Sequence, residues 1–286
     1  MERIIEVNNL SYTYKDGTEA LQKISFSIEP NSRVAIMGPN GAGKSTLLFH
    51  LNALYMAQQG EVFIKSRKVR EENKNWVRKM VGLVMQDPDD QVFSTTVYED
   101  VAFGLVNFGW QDKEKIDRRV NWALKAVDIY DLQDKNPHHL SYGQKKRAAI
   151  AGILAVKPQI IIFDEPLSYL DPGGQRTLRQ ILNELYCNGK TLLVVTHDID
   201  FALEWADRVI ILNDGEILYS GGQEVFTCEN IMGTADLTKP KIIKLLQKLE
   251  VVDLEDMSEL PGTVEEAAAY LNDLYASFGN FKERSS

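Results

Sequence analysis

Gly38-Pro-Asn-Gly-Ala-Gly-Lys-Ser45 is the stretch on which the fold of this chain turns. It satisfies G-x-x-x-x-G-K-[ST] at every fixed position. The apolar run Arg33-Val-Ala-Ile-Met37 precedes it, and Thr46-Leu-Leu-Phe-His-Leu-Asn-Ala-Leu54, with helical periodicity, follows. Strand, loop and helix in that order are the setting in which such a loop cradles phosphate. Its glycines let successive backbone N–H groups turn inward onto phosphate oxygens, and the helix behind adds its positive end. Lys44 is placed to reach the β- and γ-phosphates, and the Ser45 hydroxyl to ligate Mg²⁺. Gly38, Pro39, Asn40, Gly41, Ala42, Gly43, Lys44, Ser45 and Thr46 are thus the expected binding segment for a nucleoside triphosphate.

Composition limits what surrounds this loop. With 286 residues, 44% of them apolar, the chain can hold one large core, or a core with a small appendage. Its longest uncharged, mostly apolar stretch, residues 148–156, is less than half the ~20 residues that a membrane-spanning helix needs. The start, Met1-Glu-Arg-Ile-Ile-Glu-Val7, carries an acid and no long apolar segment, so it does not read as a signal peptide. Membrane association is expected to come through a partner. A net charge of −9 argues against a nucleic-acid binder, which shows a basic face. The mixed-sign run over residues 65–79 reads as a solvated surface. Cys187 and Cys228 lie far apart without C-x-x-C spacing, so neither a disulfide framework nor a zinc site is expected, in keeping with a reducing cytoplasm.

Along the chain, residues 3–30 alternate β-rich runs with turn signals such as Lys15-Asp-Gly17, an antiparallel β layer. Short strands are expected around residues 61–65 and 82–85, and helices over 113–127 and 144–156, the latter stopped by Lys157-Pro158. Strands at 159–163 and 191–196 flank a helix near 174–187, the β-α-β rhythm of a parallel sheet. Asn213-Asp-Gly215 between two apolar runs predicts a hairpin. Beyond residue 222 helical periods appear at 241–249 and 264–275, punctuated by Pro240 and Pro261, before a polar tail at 281–286 expected to fray. The reading is a main domain over residues 1–222 and a small helical extension over 223–286.

Two further segments carry chemistry. In Ile160-Ile-Ile-Phe-Asp-Glu165 an apolar strand ends in two acids, which must emerge at its C-terminal edge, where ligands sit in a parallel α/β sheet. Asp164 is placed to hold Mg²⁺ and Glu165 to poise water as general base. Leu140-Ser-Tyr-Gly-Gln144 stands just before a helix. Ser141 is a good N-cap, and that turn is also a potential anion site. A second phosphate site is useful if two subunits face each other head-to-tail and share nucleotides.

With these residues in order, the chain resembles the ATP-binding subunits of ABC transporters, whose signature is LSGGQ. The phosphate loop, Gln86, residues 140–144, Asp164-Glu165, Leu170-Asp171 and His197 follow the family's sequence of motifs over about residues 3–222. The resemblance implies an α/β P-loop NTPase fold with a parallel core sheet, an antiparallel β subdomain and a helical subdomain bearing the signature. It also implies ATP and Mg²⁺ as ligands. Tyr14 resembles the aromatic that stacks on adenine, with Tyr12 as its alternate-face neighbour in the same strand. Gln86 resembles the loop glutamine that touches Mg²⁺ and the attacking water, and His197 the switch histidine at the γ-phosphate. Ser141, Gly143 and Gln144 would close the opposing subunit's site, and Asp171 would couple the two composite sites. The chain departs from the family at Tyr142, where the first glycine is usual and where a side chain is expected either to restrict the backbone or to add a ring beside the phosphate, and at the bulky Leu167 and Tyr169.

Val84-Met-Gln-Asp-Pro-Asp-Asp-Gln-Val-Phe93, Thr96-Val-Tyr-Glu-Asp-Val-Ala-Phe-Gly104, Pro137-His-His-Leu140 and Gln144-Lys-Lys-Arg-Ala-Ala-Ile-Ala-Gly152 are similar to the ATPases of energy-coupling factor importers, including the cobalt and nickel group. Such a resemblance implies a second ATPase subunit, alike or related. It also implies a transmembrane coupling protein and a small membrane substrate-capture protein, with this chain peripheral on the cytoplasmic face and no nucleic acid as partner. The helical extension would aid ATPase pairing. Asp87, Asp89 and Asp90, beside Gln86, are expected to receive arginines from the membrane partner. Other readings remain: the ATPase of a different ABC transporter, a soluble ABC ATPase acting on nucleic acid, and a small-molecule P-loop kinase.

Overall fold

A computed structural model describes residues 3–249 and 260–283, from residue 275 on by backbone alone. Ten strands are described: β1 (Ile5–Thr13), β2 (Glu19–Ile28), β3 (Arg33–Met37), β4 (Gln59–Ile64), β5 (Arg67–Lys68), β6 (Val81–Val84), β7 (Ile160–Asp164), β8 (Thr191–Val195), β9 (Arg208–Asn213) and β10 (Glu216–Gly221). Among them run helices α1 (Lys44–Leu51), α2 (Lys74–Met80), α3 (Val97–Asn107), α4 (Lys113–Ala126), α5 (Tyr142–Ala155), α6 (Pro172–Cys187) and α7 (Ile199–Trp205). Three more follow the last strand: α8 (Glu229–Thr234), α9 (Lys241–Lys248) and α10 (Val264–Glu283).

The strands form two sheets. The larger has the order β10-β9-β3-β8-β7-β6, parallel except for the β9–β10 hairpin. The smaller is antiparallel, β2-β1-β4-β5. Both sheets, and the hairpin at Asn213-Asp-Gly215, agree with the sequence reading.

The parallel strands are apolar on both faces because both are covered. Ala35, Met37, Ile161, Phe163, Leu192 and Val194 face a core shared with α3 to α7. Their alternating neighbours Val34, Ile36, Ile160, Ile162, Leu193 and Val195 face a second core, closed by α1 and the antiparallel sheet. The period of two along each strand therefore sorts side chains into two separate cores.

On one side, α3, α4 and α5 form the helical layer that carries residues 140–144. Helix α3 was not evident from periodicity, yet its start is well specified: Thr96 and Glu99 form a reciprocal capping box. Arg119 of α4 donates to the carbonyls of Leu154 (2.6 Å) and Ala155 (2.8 Å), closing the C-terminal end of α5.

Val225, Phe226, Met232, Ala235, Ile243 and Leu246 are buried in the same core as Phe201, Trp205 and Ile211. The fraying expected for residues 281–286 falls largely outside the described residues: α10 runs through Glu283.

Candidate active site

The phosphate loop forms because its glycines stand where L side chains are strained. Gly38, Gly41 and Gly43 have φ of 140°, 83° and 94°. A Cβ on Gly43 would lie 2.3 Å from the Ala20 carbonyl oxygen, and one on Gly38 2.1 Å from that of Leu212. The loop is thus pressed between β2 and the end of β9, and the chain exits it directly into α1. Lys44, only 9% exposed, donates from Nζ to the carbonyls of Gly38 (2.7 Å) and Pro39 (2.8 Å). Burial holds its pKa below the ordinary lysine value, against the opposing pull of Glu165 and Asp164.

Across a cleft of about 370 Å³ stand the C-terminal ends of β7 and β8. Tyr14, Asn40, Gly41, Gly43, Lys44, Ser45, Thr46, Gln86, Asp164, Glu165 and His197 all line it. Gly38, Pro39 and Ala42 support the loop from behind, Ala42 being buried. Ser45 Oγ lies 3.5 Å from Asp164 Oδ2. The Asp164 carboxyl is raised by burial and drawn back by Lys44 and Ser45.

Glu165 has φ 44°, the left-handed region, which turns its side chain out of the strand line and into the cleft. Its backbone is fixed from both directions: its N–H donates to Val195 O (3.0 Å), and Lys146 Nζ donates to its carbonyl (3.1 Å). Ser168 Oγ donates to Oε2 (3.3 Å), while Oε1 is buried with His197 Nε2 3.0 Å away but not aligned to donate to it.

That residual acceptor, Lys44 and the Ser45–Asp164 pair make a donor set suited to a hydrated divalent cation and a triphosphate. The glycine cradle leaves backbone N–H groups open to the same space. The residues present fit ATP with Mg²⁺.

Tyr14 requires a small correction. It stands one residue beyond β1, in a turn closed by its N–H to Thr18 O (2.9 Å), so it does not share a strand with Tyr12. Its hydroxyl lies 2.7 Å from Thr46 Oγ1, which fixes the ring over the start of α1. Tyr55, which the sequence did not single out, stacks on Tyr12 at 5.3 Å and meets Tyr14 edge-on at 6.2 Å.

Ser141, Gly143 and Gln144 are not part of this cleft. They line a second one with Tyr142, Lys146, Tyr169, Leu170 and Asp171. Ser141 caps α5 in a box with Gln144, as its position suggested.

Local packing adds detail at other positions that the sequence singles out. Tyr142 begins α5 in ordinary helical backbone, so its side chain imposes no torsional restriction there. Asp171 is the N-cap of α6, accepting from Gly174 N (2.6 Å). Asp89 is already paired with Lys145 (2.6 Å), and the Asp87 side chain accepts from the Asp89 N–H, which leaves Asp90 alone of the three without a side-chain hydrogen bond or ion pair among the described residues. Leu167 is buried, whereas Tyr169 is 79% exposed with φ 63°.

Comparison with known proteins agrees with this arrangement. The ABC transporter family pattern matches residues 21–168. The energy-coupling factor transporter ATP-binding protein EcfA of Carboxydothermus hydrogenoformans is 49% identical over 271 residues, covering 95% of this chain and 98% of that one. EcfA of Methanocaldococcus jannaschii is 45% identical over 253 residues, covering 87% and 90%. Among solved structures, cbiO1 from Clostridium perfringens, part of the ABC transporter complex cbiONQ, superposes with a TM-score of 0.74 at 37% identity, covering 86% of this chain and all of that one. The cassette MJ0796, a dimer in a post-hydrolysis state bound to ADP and Pi, gives 0.70 at 33% identity, covering 77% and 98%. On the family match and on relatives covered over nearly their whole length, the chain belongs to the ABC transporter family as one of its ATPases.

Proposed function

We propose that this chain is the ATP-hydrolysing subunit of an energy-coupling factor importer. It would sit peripherally on the cytoplasmic face of the membrane and pair head-to-tail with a second ATPase, alike or related. The pair would drive uptake of a transition-metal ion such as cobalt or nickel, or of a vitamin, through a transmembrane coupling protein and a small substrate-capture protein. The observation that carries this reading is the separation of the two clefts: the signature turn lines one and the phosphate loop the other, with no residue in common. EcfA relatives matched over nearly their whole length support the subgroup.

Within the proposed site, the loop N–H groups and Lys44 receive the β- and γ-phosphates, and Tyr14 takes the adenine ring. Ser45, Gln86 and Asp164 hold Mg²⁺, which when bound neutralises charge on the phosphate oxygens. Glu165 Oε1, lacking an aligned donor, accepts the proton of the attacking water. His197 steadies the γ-phosphate. Ser141, Gly143 and Gln144 of the opposite subunit close over it.

An apolar groove beside Gln86 suits the membrane partner. Leu54, Met85, Phe93, Phe103, Phe108 and Val156 line it, with Phe93 and Phe103 exposed and meeting edge-on at 4.8 Å. No helix among the described residues is long and apolar enough to cross a membrane. Residues 223–286 would support ATPase pairing.

The test is a pull-down of the tagged chain from detergent-solubilised membranes of its source. A polytopic protein plus a small membrane protein among the copurifying chains supports the importer, and the small protein narrows the cargo. Recovery of soluble proteins or nucleic acid alone overturns it.

A further inference from the structure

Gln86 stands two residues past the end of β6, and its side chain is exposed at the rim of the phosphate cleft. A glutamine in such a place has several rotamers and a peptide free to turn, so something must fix it if it is to act on a water or an ion. Among the described residues, the hydrogen bond made by Gln86 is the one that its backbone carbonyl accepts from Tyr142 Oη, at 3.0 Å.

The donor is well anchored. Tyr142 is the first residue of α5, held by the Ser141–Gln144 capping box. Its ring meets Tyr169 edge-on at 5.9 Å, and Lys146 Nζ stands 5.5 Å from its centroid. Lys146 is also the residue that donates to the Glu165 carbonyl. One turn of α5 thus touches both Gln86 and Glu165. The Lys145–Asp89 pair ties the same loop to the same turn three residues further on.

We propose that Tyr142, standing where the family usually has glycine, is a positioning residue for Gln86: its hydroxyl pins the Gln86 peptide to the first turn of the signature helix. A glycine there has no atom to make that bond. The consequence is that the Gln86 loop and the signature turn move as one body. The proposal rests on the reading of Gln86 as a participant in hydrolysis.

Steady-state ATP hydrolysis by the full-length chain, compared among wild type, Tyr142→Phe, Gln86→Ala and the double variant, tests it. Phenylalanine keeps the ring and removes only the hydroxyl. Loss of one neutral hydrogen bond that orients Gln86 is expected to lower kcat about two- to tenfold with KM for ATP little changed. In the Gln86→Ala background the main-chain bond to residue 86 survives but no longer positions an amide side chain, so Tyr142→Phe should have no further effect on kcat. An unchanged kcat for Tyr142→Phe, or a loss that persists in full without Gln86, overturns the proposal. If Gln86→Ala itself leaves kcat unaltered, the reading of Gln86 fails, and hydrogen exchange then judges the tether alone. Faster exchange over residues 86–91 in Tyr142→Phe sustains the tether, and unchanged exchange removes it.

Discussion

His197 Nε2 lies 3.0 Å from Glu165 Oε1, and burial drives the two groups toward their neutral forms from opposite directions. It raises the Glu165 carboxyl, and it lowers the His197 imidazole, which Lys44 lowers further. The imidazole is therefore neutral at physiological pH, and the carboxylate is more basic than an exposed glutamate. A raised basicity is what a proton acceptor for water needs.

Replacing Glu165 with Gln should lower ATP turnover by roughly a hundredfold or more, the scale of a lost general base, while ATP binding persists. Phosphate release and ATP-dependent dimer on a sizing column measure both. Full-rate turnover removes Glu165 from the role. The same substitution should raise the melting temperature of the nucleotide-free protein in EDTA at neutral pH. Because the folded-state value is raised, the carboxyl's stabilising contribution is complete at low pH and lost as pH rises through that value. The advantage of Gln should accordingly shrink on acidification.

Gly43→Ala should abolish ATP binding with little change in global stability. The new Cβ would meet the Ala20 carbonyl oxygen at 2.3 Å with φ at 94°, so the loop must open to accept it. Titration with a fluorescent nucleotide checks this, and near-normal affinity would contradict the steric reading.

Lys146 offers a second pH-dependent test. It is 1% exposed, and burial lowers its pKa to about 8 from the ordinary 10.5. Between those values the unfolded chain holds a proton that the folded chain has released, so stability rises with pH across that window. Wild type should gain on Lys146→Met between about pH 8 and 10, followed by urea denaturation. A difference that stays flat would mean that this lysine is not desolvated. Turnover by Lys146→Met should also fall, since the Glu165 carbonyl loses its donor.

Truncation after Gly222 should give an aggregating protein rather than a free cassette. It removes Phe226 (0% exposed), Ile243 (0%) and Leu246 (0%) from the core against Phe201 and Trp205. Light scattering and recovery of soluble protein measure it. A stable, monodisperse product would show that the extension is separable.

The phosphate loop, the carboxylate pair and both sheets were legible in the sequence because each rests on short-range rules: glycine torsions, apolar runs, turn residues. Helix α3 was not, since Phe103 and Val106 are exposed and blur its apolar period. The partners of Asp89 and Tyr142 were also out of reach. Both bonds join residues 56 apart in sequence, and only the packing of α5 against the Gln86 loop brings them together. Lys146 was not singled out in the sequence, yet its burial and its bond to the Glu165 carbonyl make it part of the site.

The two clefts of one chain share no lining residue, which has a consequence in terms of complementation. In a head-to-tail pair each composite site draws its phosphate loop from one subunit and its signature turn from the other. If the proposed pairing holds, a subunit crippled at Lys44 and one crippled at Ser141 would each be inert when paired with themselves. Mixed, they segregate their defects: one site inherits both lesions and the other inherits none. Two dead proteins would then restore half of the living sites, and a chain with both lesions could rescue neither.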